Sequence, residues 1–281
     1  MAAPGWYANP DGRRGLRYWD GSRWTEHTHG VGSDIPATAD SGTADHADEM
    51  PPPPGVGVAC FAFGAGAAVA IAVAALLAAA SHPGGDILAF CLTEIALWSC
   101  MVAGVVYVSR RRGTGNLAHD FGWRLRRADL GIGAIGAIVG RSTTVVVAIP
   151  LYAAFHELLR NPSVGLPARE LTPGLFAAYA VAACVGAPVI EELFFRGLVQ
   201  TRLVWRWGAV RGIVVTSVLF GAAHLIGWRG PASVLAATAI AAGGVVLGYL
   251  RYRTGRLGTS TVAHALFNAF AVLLLGLGVG R

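Results

Sequence analysis

Lysine is absent from the chain, and charged side chains of any kind make up only 14% of its 281 residues. Soluble domains carry about 25% charged residues. The deficit, together with 54% apolar residues and a mean hydropathy of +0.53, excludes an ordinary soluble globular protein. Cysteine is scarce as well. Cys60, Cys91, Cys100 and Cys184 stand singly in apolar stretches with no CxxC spacing, which argues against a disulfide framework or a thiolate metal site. No long apolar run precedes Val56, so no cleaved signal peptide is expected. A net charge of +6 raises the question of nucleic acid. The arginines cluster beside apolar runs, however, and the positive-inside rule accounts for that placement without a nucleic-acid partner.

What is present is a series of long apolar runs behind a polar head. Residues 1–29 carry Trp6, Tyr7, Tyr18, Trp19 and Trp24 around Asp11-Gly12 and Asp20-Gly21, a hairpin pattern. Residues 30–55 are rich in Asp, Ala, Ser and Thr and end in Pro51–Pro54, the composition of a disordered linker. From 56 to 281 the chain reads as a membrane domain. Spans are expected near 56–80, 87–109, 129–153, 173–200, 211–226, 232–250 and 259–279, most of them reaching the ~20 residues a bilayer core requires. The fold class is therefore an all-α polytopic membrane protein of about seven transmembrane helices with a small cytoplasmic β-rich N-terminal domain. Arg110–Arg112, Arg124, Arg126 and Arg127, then Arg202, Arg206 and Arg211, then Arg251, Arg253 and Arg256 lie in alternate loops. That asymmetry places the N-terminus in the cytoplasm and the C-terminus outside a cell membrane. Leu117–Leu130 is expected along the inner interface.

Ionisable groups at bilayer depth are costly, and they mark function by default. Glu191-Glu192-Leu193-Phe194-Phe195-Arg196 lies inside the fourth expected span. Glu192 and Arg196 are i,i+4 neighbours in the order that favours an ion pair, which leaves Glu191 without a local partner. A buried unpaired carboxylate favours its protonated form, the condition of a general acid or base near neutral pH. The bland alternative is a structural ion pair beside one acid solvated by a water-filled cavity. Further along, Phe220 and His224 lie in the fifth span, and His264 and Asn268 stand four apart in the seventh. Counted from the cytoplasmic ends, Glu191, His224, His264 and Asn268 fall roughly 17, 20, 9 and 15 Å deep, one broad layer. Arg141, in the third span, falls at a similar depth. It is expected to border the cavity and to bind Glu191 or a substrate carbonyl or carboxylate; loop carbonyls or water are its alternative partners. Glu94, in the outer part of the second span, can snorkel. Such a cavity suits water activation by Glu and a neutral His, with Asn and a second imidazole for an oxyanion. Alternatively, two His and one Glu make a three-ligand zinc set with an open position.

The ordered motifs EExxxR (Glu191–Arg196), FxxxH (Phe220–His224) and HxxxN (His264–Asn268) resemble those of the CAAX-processing and bacteriocin-processing family of intramembrane proteases, over roughly residues 117–279. The resemblance implies an endopeptidase whose site opens to the cytoplasm. It assigns Glu191 as catalytic acid/base, His224 as its partner, and His264 and Asn268 to the oxyanion or to metal ligation, with Glu191, His224 and His264 as the metal set. Glu192, Arg196 and Phe220 take supporting roles. It leaves both a zinc-dependent and a metal-free glutamate mechanism open. Residues 1–29 resemble a small Trp-rich domain of unknown function, whose partner is unknown. The expected substrate is a membrane-associated peptide or protein, and a prenylated eukaryote-type substrate is not expected behind such a domain. The contrasting reading is a non-catalytic membrane adaptor or a transporter that uses the same buried cluster.

Overall fold

The computed structural model describes residues 5–8, 16–19, 23–29, 56–79, 87–159, 172–225 and 231–278. The expected turns at 11–12 and 20–21, the linker 30–55 and the loops with Arg160, Arg169 and Arg229 lie outside them. The chain divides into a small N-terminal unit and a membrane unit.

The N-terminal unit is a three-stranded antiparallel sheet, β1 (Gly5–Ala8), β2 (Leu16–Trp19) and β3 (Trp24–His29), in sequence order. Trp19 pairs with Trp24 across β2 and β3, and their rings meet edge-on at 5.3 Å. Arg17 Nε donates to the Thr25 carbonyl at 2.6 Å, and the Thr25 hydroxyl donates to the Tyr18 carbonyl at 2.9 Å. Cross-strand aromatic pairs of this kind are the unit of stabilisation in so small a sheet.

The membrane unit is helical in most of its described residues. Its elements are α1 (Val56–Ala79), α2 (Ile87–Arg112), α3 (Leu117–Asp120), α4 (Arg127–Leu159), α5 (Pro173–Val181), α6 (Ala187–Glu191), α7 (Thr201–Ala223), α8 (Pro231–Thr254) and α9 (Leu257–Gly276). Two π-helical stretches, Ala182–Gly186 and Glu192–Gln200, join α5, α6 and α7 into one run. Six runs are long and apolar enough to cross a membrane. Phe61, Ile71, Ile95, Ile135, Ile138 and Val210 point outward, each more than half exposed, which suits lipid rather than water. The chain is a multi-pass membrane protein.

The fourth run spans 51 residues, Pro173–Ala223. Straight, it would extend about 77 Å, more than twice the ~30 Å hydrocarbon core. It is broken at Gly208, whose φ of 79° and ψ of 169° are open essentially to glycine alone. Past the break, a Cβ on Gly212 would lie 2.5 Å from the Val204 nitrogen and 2.7 Å from its Cα. Residues 204 and 212 therefore touch backbone to backbone, and the chain folds back at Gly208. The spans expected at 173–200 and 211–226 are the two sides of this bend, closer-coupled than the sequence suggested. Gly208→Ala is expected to cost about 1–3 kcal/mol of stability, read as a lower melting temperature of the purified protein.

Small residues set the remaining contacts. A Cβ on Gly133 of α4 would lie 2.7 Å from Val262 Cγ1 of α9. Asp129, fully buried, bolts the same two helices. Its carboxylate accepts from Arg256 Nη2 at 2.6 Å and Arg256 Nε at 3.0 Å, from the Thr259 hydroxyl, and from the Arg126 N–H at 2.7 Å. The last contact is the reach-back half of a capping box at the start of α4. Before α4 come α3 and an irregular stretch over residues 121–126. There burial opposes ionisation of Asp120, but hydrogen bonds from Ser109 and from the Thr114 N–H and hydroxyl hold its carboxyl below the usual carboxylate range.

One face of α2 lies along the run that carries the two acids. Phe90 meets Tyr179 at 6.2 Å between ring centroids, and a Cβ on Gly186 would lie 2.5 Å from the Trp98 ring. Met101, Val105 and Val108 continue that face into a core with Phe194, Phe195 and Leu198. Glu94 falls on the same stripe, between Phe90 and Trp98, and is half-buried. The snorkelling expected of it is replaced by an inward position, because its helical neighbours at i−4 and i+4 both pack on the run.

Candidate active site

Pro188 shapes the backbone that presents Glu191. Proline has no N–H to give. The Ala187 N–H bonds the Ala182 carbonyl in π register, so the Ala183 carbonyl would meet only the nitrogen of Pro188. Asn268 of α9 supplies the missing donor, its Nδ2 lying 2.7 Å from the Ala183 oxygen. A buried carbonyl left unpaired would cost about 1–3 kcal/mol. One of the two Asn268 amide hydrogens is thus used structurally, and the other remains.

The residues from Glu192 to Gln200 are all buried. Arg196 and Gln200 face α8, where Gly244 and Gly248 leave room. Arg196 Nη2 donates to the Gly244 carbonyl at 3.2 Å and Gln200 Nε2 to the Gly248 carbonyl at 2.9 Å. Glu192 pairs with Arg196 at 2.9 Å, both side chains fully buried. The Arg196 guanidinium also lies 4.2 Å from the centre of the Phe220 ring. The ion pair expected from the i,i+4 spacing is present.

Glu192 fixes His264. His264 Nδ1 stands 3.1 Å from Glu192 Oε1. A carboxylate paired with arginine only accepts, so Nδ1 carries a proton, and in a neutral ring Nε2 bears the lone pair. That nitrogen faces Glu191 Oε2 at 3.9 Å, beyond direct hydrogen-bond reach. Glu191 Oε2 is buried and has no hydrogen-bond partner. With Glu191 ionised and the His264 ring neutral, two acceptors face each other across this gap.

His224 closes α7. Its Nδ1 lies 2.8 Å from the Phe220 carbonyl, so it too donates from Nδ1. Phe220 packs edge-on between the imidazoles, with ring centroids 4.9 Å from His224 and 5.6 Å from His264. Glu191, Glu192, Arg196, Phe220, His224 and His264 thus form one cluster, and Asn268 stands a turn from His264. The imidazole beside Glu191 is His264, whereas the motif assignment gave that place to His224. The residues as placed do not fit a metal: among the described residues no three His, Cys, Asp or Glu side chains form a metal-binding group.

Of the partners weighed for Arg141, the structure supplies a backbone carbonyl. Gly140 brings α4 against the Phe267 ring, so a carbonyl and two aromatic faces are the acceptors at hand. Arg141 Nη2 donates to the Phe267 carbonyl at 2.8 Å, and its guanidinium lies 4.0 Å over Phe267 and 5.2 Å from Phe270. It forms no ion pair with Glu191. Asp129, Gln200 and the Gly244–Gly248 pair went unnoticed in the sequence. The four-residue glycine spacing was the signal available for the last.

The fold and cluster define a polytopic membrane protein with acid, base and imidazole gathered inside its helices. Residues 173–270 match the family model of type II CAAX prenyl endopeptidases, Rce1-like. Residues 4–54 match a family of proteins of unknown function, DUF2510. No curated protein and no solved structure matches the chain.

Proposed function

We propose that this protein is an intramembrane endopeptidase that hydrolyses a peptide bond of a membrane-associated peptide or protein with water activated by Glu191 and His264. The observation that carries this reading is the facing pair of acceptors, Glu191 Oε2 and His264 Nε2. A water entering there gives one hydrogen to each and turns its lone pair toward a scissile carbonyl. Glu191 takes the proton as the water attacks, and returns it to the leaving amine as the tetrahedral intermediate collapses. The second Asn268 amide hydrogen is the donor available to the developing oxyanion. Glu192 and Arg196 hold the His264 tautomer. Membrane peptides that accumulate uncut in cells carrying Glu191→Ala, and are cut in wild type, are the test; identical membrane peptidomes would overturn the reading.

We read the bend at Gly208 as dividing the fourth of the six runs into two crossings, and the arginine asymmetry supports residues 1–55 in the cytoplasm. A cysteine introduced at Ser33, with the four native cysteines replaced, is expected to react with a membrane-impermeant maleimide only after permeabilisation. Labelling of intact cells would invert this orientation.

Glu94 favours a second reading. Its inward position places another acid on the outer side of Glu191, and acids at successive depths suit a proton path through a transporter. Proton uptake into vesicles that Glu191→Gln and Glu94→Gln both abolish, with no peptide cut by wild type, would choose that reading over proteolysis.

A further inference from the structure

A groove of about 290 Å³ lies between α9 and the run that carries the two acids. Val185, Pro188 and Val189 wall it on one side, Val262 and Ala265 on the other. Ala265 adjoins His264, and Pro188 stands one turn before Glu191, so the groove borders the candidate site. Its arginine-rich end is formed by Trp123, Arg124, Leu125 and Gly258. Backbone bonds hold that end against α9. The Leu257 N–H donates to the Gly122 carbonyl at 2.9 Å, and the Gly258 N–H to the Arg124 carbonyl at 3.2 Å. A Cβ on Gly258 would lie 2.9 Å from the Leu125 Cα, so only glycine lets the two segments close this far.

The lining decides between occupants. Inside the end formed by Trp123 and Arg124, only Thr261 and Cys184 carry a polar side-chain atom, and Thr261 Oγ1 is buried. Every peptide residue brings an N–H or a carbonyl that needs a partner, and leaving such groups unpaired in apolar surroundings is costly. A hydrocarbon chain brings none. Val185 and Val189 are exposed, so the groove also opens sideways to lipid. At its end the chemistry changes. Arg124 is exposed, and its side chain makes no hydrogen bond or ion pair among the described residues. Trp123 beside it is half-buried, as suits the headgroup level of a bilayer. An apolar slot that ends in an uncommitted guanidinium complements a molecule with a hydrocarbon tail and an anionic head, and phosphate oxygens match the guanidinium fork.

We propose that this groove binds an anionic phospholipid, one acyl chain lying between α6 and α9 and the phosphate on Arg124. The chain packs on Pro188 and Ala265, next to Glu191 and His264, so the bilayer reaches the candidate site directly. The proposal is independent of the proteolytic reading, since its test needs no cleavage.

Cys184 lines the groove and is half-buried, which makes it a reporter. Purified full-length protein with Cys60, Cys91 and Cys100 replaced by Ala is offered equal amounts of phosphatidylglycerol and phosphatidylcholine in detergent. N-ethylmaleimide is added, and native mass spectrometry reads retained lipid and alkylation on the same molecules. Phosphatidylglycerol is expected to be retained in preference, and lipid-bound molecules to be alkylated more slowly than lipid-free ones. Arg124→Gln, at an exposed position, is expected to melt as its parent does and to lose roughly fivefold in the preference, the weight of one charge at a membrane surface. Equal retention of the two lipids overturns the proposal. Equal alkylation of lipid-bound and lipid-free molecules overturns it too, by putting the lipid elsewhere; both readings come from the parent and stand even if Arg124→Gln does not fold. An unchanged preference in the folded Arg124→Gln protein overturns the place of the phosphate. Stronger protection of Cys184 by an S-palmitoyl peptide than by phosphatidylglycerol gives the groove to a lipid-modified peptide and overturns the phospholipid as its occupant.

Discussion

Glu191→Gln is expected to lower the rate of peptide hydrolysis by about a hundredfold to ten-thousandfold, the usual worth of a positioned general base, while the protein stays folded. The amide has almost the shape of the carboxylate but takes no proton from water. Its effect on stability should be neutral or favourable. With Glu191 ionised and His264 neutral, Glu191 Oε2 and His264 Nε2 face each other as two acceptors at 3.9 Å. A glutamine offers an N–H to that lone pair and removes the conflict, so the melting temperature should hold or rise. Lost activity with kept or gained stability is the signature of a group maintained for chemistry rather than folding. The measurement is single-turnover cleavage of a transmembrane peptide by the purified variant beside its melting curve in detergent. A variant that cuts at near wild-type rate would overturn the role of Glu191. His224→Ala separates the two imidazoles in the same assay. With His264 as the neighbour of Glu191, loss of His224 should lower the rate less than His264→Ala does.

How much of this was legible depended on the range of the interaction. The Glu192–Arg196 pair could be read because both partners sit on one helix four residues apart, where geometry is fixed locally. The span positions could be read because a bilayer imposes a length on apolar runs. The shared depth of Glu191, His224 and His264 followed from counting residues inward from arginine-rich ends. Azimuth was not legible. Depth places a residue in a layer and says nothing of which way it points, so the imidazole beside Glu191 could not be told from its partner, and Arg141 could not be given to Glu191, to a substrate or to a backbone carbonyl. Glu94 shows the same limit. Its depth was clear, but its inward position depends on Phe90 meeting Tyr179 and Trp98 covering Gly186, contacts between helices far apart in sequence. The role of Asn268 was hidden for a different reason. Its partner is a carbonyl freed by Pro188, and a freed carbonyl leaves its mark two helices away from the side chain that answers it. The bend at Gly208 was half-visible. The arginines around it suggested a loop, and only the backbone contact of Gly212 with Val204 shows how tight the reversal is.

Glu192→Ala is expected to be the most destabilising of the substitutions in this cluster. Glu192 and Arg196 have no exposed side-chain surface, so removing the acid strands a guanidinium. Breaking a buried pair in this way costs about 3–5 kcal/mol. The Gly244 carbonyl and the Phe220 ring remain to Arg196, which offsets a part of the loss and none of the charge. The same substitution takes the acceptor from His264 Nδ1. The imidazole is then free to put its proton on Nε2, where it would face Glu191 as a donor and the water would lose one of its two acceptors. Stability and activity can be separated with Glu192→Leu/Arg196→Met. Replacing both members of a buried pair by apolar groups of similar volume is often neutral or stabilising, so the double variant should melt well above Glu192→Ala and near wild type. Its hydrolysis should stay low, because nothing restores the His264 tautomer. Recovery of both stability and activity in the double variant would make the pair purely structural. A Glu192→Ala protein that melts with wild type would show that Arg196 finds its compensation elsewhere.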